Sequence, residues 1–334
     1  MRIVLDAMGS DKYPGPEVEA ALTYAKQFSE PLMVVGQRKV LEPLLRPAGN
    51  AIRLVDAPDV FEMTDTLSPR ALRNEQNSMG VGMDLVKNGE ADAFVTAGNT
   101  GGAMAIGLTR LGRIKGVKRP ALTAPFPVAG GTCIVLDVGA NAECEPEYLL
   151  QFALMGSVYA QVLLGVANPR IGLLSNGEEA GKGNDLVKAT YPLLEGSGLN
   201  FIGNVEGKEL FGGEADVVVT DGFTGNVLMK SSEAVAKLMT ERLRAGIMSS
   251  TRTKLGGLLA RPAFDGLRKE LDPREVGAIP LLGIDGLVFV GHGRSDGQAM
   301  FSALKLARRS MEANLLGTLA GAIESSLSGA KAAA

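Results

Sequence analysis

The sequence predicts an α/β protein: a Rossmann-like α/β/α arrangement with a mostly parallel sheet, plus one projecting helical hairpin. Three observations carry this. Short β-rich runs alternate with helical patterns along the chain, as parallel strands with helical crossovers require. The loops that follow the strands are rich in Gly, Asn, Thr and Asp. One run occurs twice, GEADAFVTAGNTG at Gly89–Gly101 and GEADVVVTDGFTG at Gly213–Gly225, identical at nine of thirteen positions and offset by 124 residues.

Taken in order, the apolar, β-rich runs predict strands at Arg2–Asp6, Leu32–Val35, Ile52–Asp56, Ala93–Thr96, Cys133–Asp137, Arg170–Leu174, Asn200–Ile202 and Val217–Thr220. Helical periodicity predicts helices at Glu17–Phe28, Lys39–Leu45, Gln76–Asn88, Gly102–Leu111, Glu147–Leu164, Asp185–Glu195 and Asn226–Met248. Leu281–Val290 reads as a hairpin turning at Asp285-Gly286, followed by a long helix from Gln298 to Leu327. The stretch Tyr148–Pro169 carries no charge and is about as long as a membrane span. Its polar Gln151, Ser157, Tyr159 and Gln161, set among ordinary α/β units, make it a buried central helix. The chain reads as a single α/β domain over residues 1–334, with residues 226–275 forming a hairpin for dimerisation and its tip.

Composition narrows the function. A net charge of −3 gives no global attraction to nucleic acid. One histidine and two cysteines, Cys133 and Cys144, in no ligand spacing argue against a zinc site, and we expect no metal. Two reduced cysteines and the absence of a signal peptide suit the cytoplasm.

Ligands of such sheets bind beyond the carboxyl ends of the strands. The loops there are DAMGSD, AGNTGG, DVGAN, SNGEEAGKGN and DGFTGN. Each copy of the repeat runs from a strand into a glycine loop that opens a helix. Backbone N–H groups, a threonine hydroxyl and a helix N-terminus suit an anion. Two such loops on neighbouring strands would face one cleft. Gly98, Asn99, Thr100, Gly101, Asp137, Asn141, Gly222, Thr224 and Gly225 are the candidate substrate-binding residues. Lys182, His292, Asp221 and Asn226 are the catalytic candidates. Lys182 is the only lysine in these loops and suits a phosphate, or else is a solvated surface lysine. The glycine-flanked His292 reads equally as site or scaffold. Asp137, Asp221 and Asp296 suit pairing with a cation, orienting a base or capping a helix. There is no GxxxxGK[ST] motif and no GxGxxG after a strand, so no nucleotide cofactor is indicated. No nucleophile elbow is present either, so a bound anion acting as its own nucleophile fits best.

These loops, in this order, resemble the bacterial phosphate acyltransferases of phospholipid synthesis. The resemblance spans nearly the whole chain. It rests on LDAMGSD (Leu5–Asp11), SMGVGMDLVKNGEADAFVTAGNTGGAM (Ser78–Met104), LDVGAN (Leu136–Asn141), GLLSNGEEAGKGN (Gly172–Asn184), EADVVVTDGFTGNVLMK (Glu214–Lys230) and GHGRSD (Gly291–Asp296). The chain departs from that pattern at Ser10, usually glycine, at Gly80, usually basic, and at Arg294 and Gly297, where small residues such as Ser and Ala are commoner. The resemblance implies transfer of a fatty acyl group from acyl carrier protein to inorganic phosphate. It also implies a homodimer without metal or nucleotide cofactor, and a fold similar to phosphotransacetylases and isopropylmalate-type dehydrogenases. The product would pass to a membrane glycerol-phosphate acyltransferase. Alternatives are a decarboxylating dehydrogenase of that fold and a non-catalytic phosphate or acyl-carrier binding protein.

An acidic carrier calls for a basic surface, and Arg242, Arg244, Arg252, Lys254, Arg261, Arg268 and Lys269 gather near the hairpin. Its tip, Thr253–Leu267, sets Leu255, Leu258, Leu259, Phe264 and Leu267 among Lys254, Arg261 and Arg268. That pattern suits an anionic membrane surface, hence a cytoplasmic protein peripherally attached to the inner face of the cell membrane. The same leucines would also serve a dimer interface.

Overall fold

A computed structural model describes residues 1–270 and 272–333. Among these residues eleven strands form one sheet: β1 (Ile3–Asp6), β2 (Leu32–Gly36), β3 (Ile52–Asp56), β4 (Ala93–Thr96), β5 (Ala121–Val128), β6 (Gly131–Leu136), β7 (Ile171–Leu174), β8 (Phe201–Val205), β9 (Val217–Val219), β10 (Ala278–Leu282) and β11 (Leu287–Gly291). The helices are α1 (Gly15–Gln27), α2 (Arg38–Leu45), α3 (Pro69–Arg73), α4 (Ser78–Lys87), α5 (Thr100–Arg110), α6 (Pro146–Tyr159), α7 (Asp185–Glu195), α8 (Gly207–Gly212), α9 (Gly222–Met248), α10 (Thr251–Leu259), α11 (Arg261–Glu270), α12 (Pro273–Val276), α13 (Gly297–Glu312) and α14 (Leu315–Ala333).

Strand order is β3-β2-β1-β4-β11-β10-β5-β6-β9-β7-β8. Alternation of side chains sends Ile3, Leu5 and Val95 to one face, where α1, α6 and α13 supply Tyr24, Phe152 and Met300. Val4 and Phe94 point to the other face, against Met79 and Met83 of α4 and Ile106 of α5. Both faces are covered, so the strands read as nearly continuous apolar runs. The uncharged stretch after Tyr148 is α6 continued by a π-helical turn, Ala160–Leu164. Leu149, Phe152, Ala153 and Met155 are buried in the first of the two cores. Among the described residues no helix is long and apolar enough to cross a membrane.

The two repeats occupy equivalent local positions. Ile3-Val4-Leu5 of β1 pairs in parallel with Ala93-Phe94-Val95, and Ile134-Val135-Leu136 of β6 pairs in the same register with Val217-Val218-Val219. Each repeat also carries an arginine clasp at its start. Arg2 reaches Asp92 at 3.0 Å, and Arg170 reaches Asp216 at 2.8 Å.

Their mutual placement corrects the expectation of neighbouring strands. Four strands lie between β4 and β9, which at roughly 4.8 Å per step puts them about 24 Å apart. Three successive antiparallel pairings, β11–β10, β10–β5 and β5–β6, reverse the strand direction between them. The carboxyl ends of β1, β4 and β11 therefore leave one edge of the sheet, and those of β6, β7 and β9 leave the other.

Candidate active site

At the first edge, Asp6 is buried and accepts from the Thr96 hydroxyl at 2.8 Å and from Met8 N at 3.1 Å. Gly98 N donates to the Thr96 oxygen at 3.0 Å. Asn99 caps α5, accepting from Gly102 N at 2.9 Å and donating to Met63 O at 3.0 Å. Its amide oxygen and one amide hydrogen are engaged within the fold. Phe61, Met63 and Leu67 lie over the glycine loop and over Gly293, so the loop is roofed by an apolar strap. Thr100 and Gly101 stand at the first turn of α5, beneath that strap. His292 is exposed, and its Nδ1 accepts from Arg294 N at 3.1 Å. Behind this loop, Glu17 is buried; it accepts from Ser10 N at 3.1 Å and leaves its second oxygen unpartnered. Gly80 sits inside this half against Asn77 and Asn74 O. Arg110 of α5 donates to that same carbonyl at 3.3 Å and pairs with Asp84, so a cation from another helix stands beside Gly80.

At the second edge, Asp137 organises the loop after β6. Its carboxylate accepts from Leu122, Gly139, Ala140 and Asn141 N–H groups and from the Asn141 amide, at 2.7–3.1 Å. Burial pushes its pKa up, while these donors pull against the rise. Asn141 also donates to Pro120 O at 2.7 Å, and its carbonyl accepts from Gly222 N at 2.7 Å. A Cβ at Gly222 would stand 2.6 Å from Asn141 O, and one at Gly225 would collide with Asp137 O. These two glycines are required for loop-to-helix contact.

The second helix N-terminus is already occupied by a negative group. Asp221 caps α9, accepting from Thr224 N at 2.8 Å and from the Thr224 hydroxyl at 2.7 Å. This corrects the reading of Thr224 as an anion donor, because its hydrogen and its N–H both face Asp221. The sequence shows that a threonine follows an aspartate by three positions, but not which way its hydroxyl turns. Asp137, Asn141, Gly222 and Gly225 likewise shape the loop.

Lys182 and Asn226 remain open at this edge. Both are exposed, and among the described residues neither side chain has a hydrogen-bond or ion-pair partner. The Lys182 stem lies against Gly177, and its loop is held by Gly183 N donating to Asn176 at 3.0 Å and Asn204 donating to Glu179 O at 2.9 Å. Gly183 has φ +97°, which a side chain would strain. Asn226 stands across from Gly139. Since β7 and β9 are adjacent and parallel, the segments that carry Lys182, Asp221 and Asn226 leave the sheet from neighbouring strands at the same edge. Gly98, Asn99, Thr100, Gly101 and His292 do not join them within one chain, for the topological reason given above.

The sequence reading missed a basic cleft beside this edge, an opening of about 670 Å³ lined by Leu108, Arg113, Lys118, Arg119, Pro120, Glu145 and Tyr148. Its signal was the run RIKGVKR just before β5. Elsewhere, Glu178, Glu206 and Glu209 converge, and the Lys208 ammonium already bonds two of them, Glu178 at 2.6 Å and Glu209 at 3.0 Å.

Known proteins place this architecture. The family model "Fatty acid synthesis protein" matches residues 1–317. A phosphate acyltransferase of Elusimicrobium minutum is 46% identical over 95% of this chain and 94% of its own. One of Pelotomaculum thermopropionicum is 42% identical over 97% of this chain and 96% of its own. Among solved structures, a phosphotransacetylase from Streptococcus pyogenes superposes with a TM-score of 0.58 at 15% identity, covering 97% of this chain and 94% of that one. A putative 4-hydroxythreonine-4-phosphate dehydrogenase from Salmonella typhimurium gives 0.55 at 13%, covering 92% and 98%. These two show the fold alone. With the relatives' identity sustained over nearly the full length, the chain belongs to the fatty acid synthesis protein family, a family of acyltransferases.

Proposed function

We propose that this protein transfers a fatty acyl group from the thioester of acyl carrier protein to inorganic phosphate, and that the reaction takes place at the second edge. The observation that carries this is the pair of unpartnered polar side chains, Lys182 in the loop after β7 and Asn226 in the first turn of α9 after β9, following neighbouring strands beside a basic cleft. An oxygen of hydrogen phosphate attacks the thioester carbonyl, the C–S bond breaks as acyl phosphate forms, and the carrier leaves as a thiolate that takes up the proton hydrogen phosphate gives up. The Lys182 ammonium balances phosphate charge as a point cation. The Asn226 amide donates to the carbonyl oxygen as charge develops there. Phosphate is its own nucleophile, so the chemistry requires mainly placement.

The test is acyl phosphate formation from acyl carrier protein and phosphate. Asn226→Ala is expected to lower turnover about a hundredfold, as loss of one donor to developing charge does. Lys182→Ala is expected chiefly to raise the phosphate KM. Near-normal kinetics in both variants would remove the reaction from this edge.

The same reading includes a homodimer and contact with a membrane, where a glycerol-phosphate acyltransferase would take the product. Exposed Val235, Leu238 and Met239 on α9 support an apolar pairing face, and the exposed leucines of α10 support a membrane contact.

A further inference from the structure

We propose that the cleft at Arg113, Lys118 and Arg119 binds the phosphate of the flexible arm on which the carrier presents its thioester. This rests on the acyl-carrier reading above and assigns a separate subsite to it. The three cations line one opening, and among the described residues none of them forms an ion pair. Arg113 instead donates to Lys118 O, which draws this basic loop together. The Arg119 guanidinium lies over the Tyr148 ring at 5.9 Å. Among the described residues Glu145 is the only acid lining the cleft, so three cations face one anion there although the protein is acidic overall.

Size and walls favour an extended phosphate ester over the bare ion. An opening of about 670 Å³ lies in the range of organic-ligand sites and far exceeds one phosphate. Leu108, Pro120 and Tyr148 add apolar wall, which a bare phosphate would not use. The planar arginine fork suits phosphate oxygens, and the ring beneath Arg119 holds it in place.

The cleft also leads to the reacting edge. Pro120 O accepts from Asn141, which carries the backbone contact on to Gly222. The Cys144 thiol lies 3.6 Å from the Asn141 carbonyl on this same path. A ligand fixed by its phosphate at Arg119 would therefore point its thioester end toward Asn226. Lys182, on the far side of β9, would hold the attacking phosphate. Two anion subsites on either side of one reacting carbon keep donor and acceptor from competing for one cation.

The experiment measures both Michaelis constants for Arg119→Ala. The KM for acyl carrier protein at saturating phosphate is expected to rise about tenfold, as for a truncated charge partner, with the phosphate KM moving less than about twofold. Lys118→Ala should move the donor KM in the same direction, which guards against a folding artefact at Arg119. A rise in the phosphate KM alone would assign the cleft to inorganic phosphate and overturn the proposal, as would no change in either constant. If the wild-type protein does not turn over these substrates, the reaction reading fails instead. Calorimetry then tests the cleft directly, with 4′-phosphopantetheine compared against pantetheine. Wild type should prefer the phosphorylated form by about tenfold and Arg119→Ala should lose the preference; equal binding of the two by wild type would overturn the subsite.

Discussion

Glu17 shows how a single buried group makes stability depend on pH. Burial pushes its carboxyl up to about 7 from an ordinary 4.5; nearby Asp6 acts in the same direction, and the Ser10 N–H acts against it. The native state keeps the proton that the unfolded chain gives up, so between about pH 4.5 and 7 stability falls as pH rises. Above that window the deficit is constant, on the order of 3 kcal/mol for this shift. Glu17→Gln should remove this slope. Urea unfolding at pH 5 and pH 8 checks it, and wild type should lose about 3 kcal/mol more than the variant across that span. Parallel losses would show that Glu17 does not carry the effect. Asp6 and Asp137 are also raised by burial, but they are common to both proteins. None of this was legible in DAMGSD, where Ser10 and Asp6 show no sign of the glutamate that faces them. Residue type was readable at Asp137, Gly222 and Thr224, but whether the partner was a ligand or the protein's own backbone was not.

At the scale of elements, periodicity placed most strands and helices within a few residues. Three differences have local causes. β5 carries Pro125 and Pro127, which the eye reads as loop. Leu122 N points to the β6 side, so residues 125 and 127 turn toward the opposite edge, where β10 pairs only with Ala121 and Leu122. Proline is harmless on that open edge. The final helix is broken at Asn314, whose φ of 50° separates α13 from α14. The predicted start of α9 at Asn226 moves back to Gly222, because Asp221 is its cap.

That helix, 27 residues and roughly 40 Å long, buries only Gly222 and Gly225 within the chain. It leads into α10 and α11, which project with it. Leu255, Leu258 and Leu259 are 61%, 63% and 77% exposed. Phe264 is half-buried, and Arg261 pairs with Asp265 at 3.4 Å. Arg242, Arg244, Arg252 and Lys254 are exposed as expected, while the side chains of Leu267, Arg268 and Lys269 lie outside the described residues. A Leu258→Glu, Leu259→Glu double variant should lose flotation with anionic liposomes while keeping turnover in solution. A variant that instead dissociates on sedimentation, yet floats as well per protomer, would assign these leucines to a pairing interface. High salt should slow turnover with the carrier if the exposed arginines guide it.

For the whole molecule, the duplication was legible and its geometry was not. Repeated sequence reports repeated local pairing, here β1 with β4 and β6 with β9. Which edge each copy faces depends on β5, β10 and β11, whose pairings join residues far apart in the chain. β10 is the join. It pairs with β11 through Ala278–Pro280 and with β5 through Leu281 and Leu282. Leu281 is 2% exposed, so Leu281→Ala should cost about 2–5 kcal/mol. Hydrogen exchange should register the loss in β4 and in β6 alike. A loss confined to one half would mean that the two halves unfold independently.

The position of β11 also governs the order in which the protein is made. It fills the place beside β4, yet about 190 residues separate Thr96 from Leu287. At about 5–20 residues per second, a ribosome takes roughly 10–40 s to cover that distance. Throughout that time the newborn β4 offers an unpaired apolar border to any neighbouring chain. Overproduction at high temperature should therefore send this protein into inclusion bodies through its first hundred residues, well before its last two hundred exist.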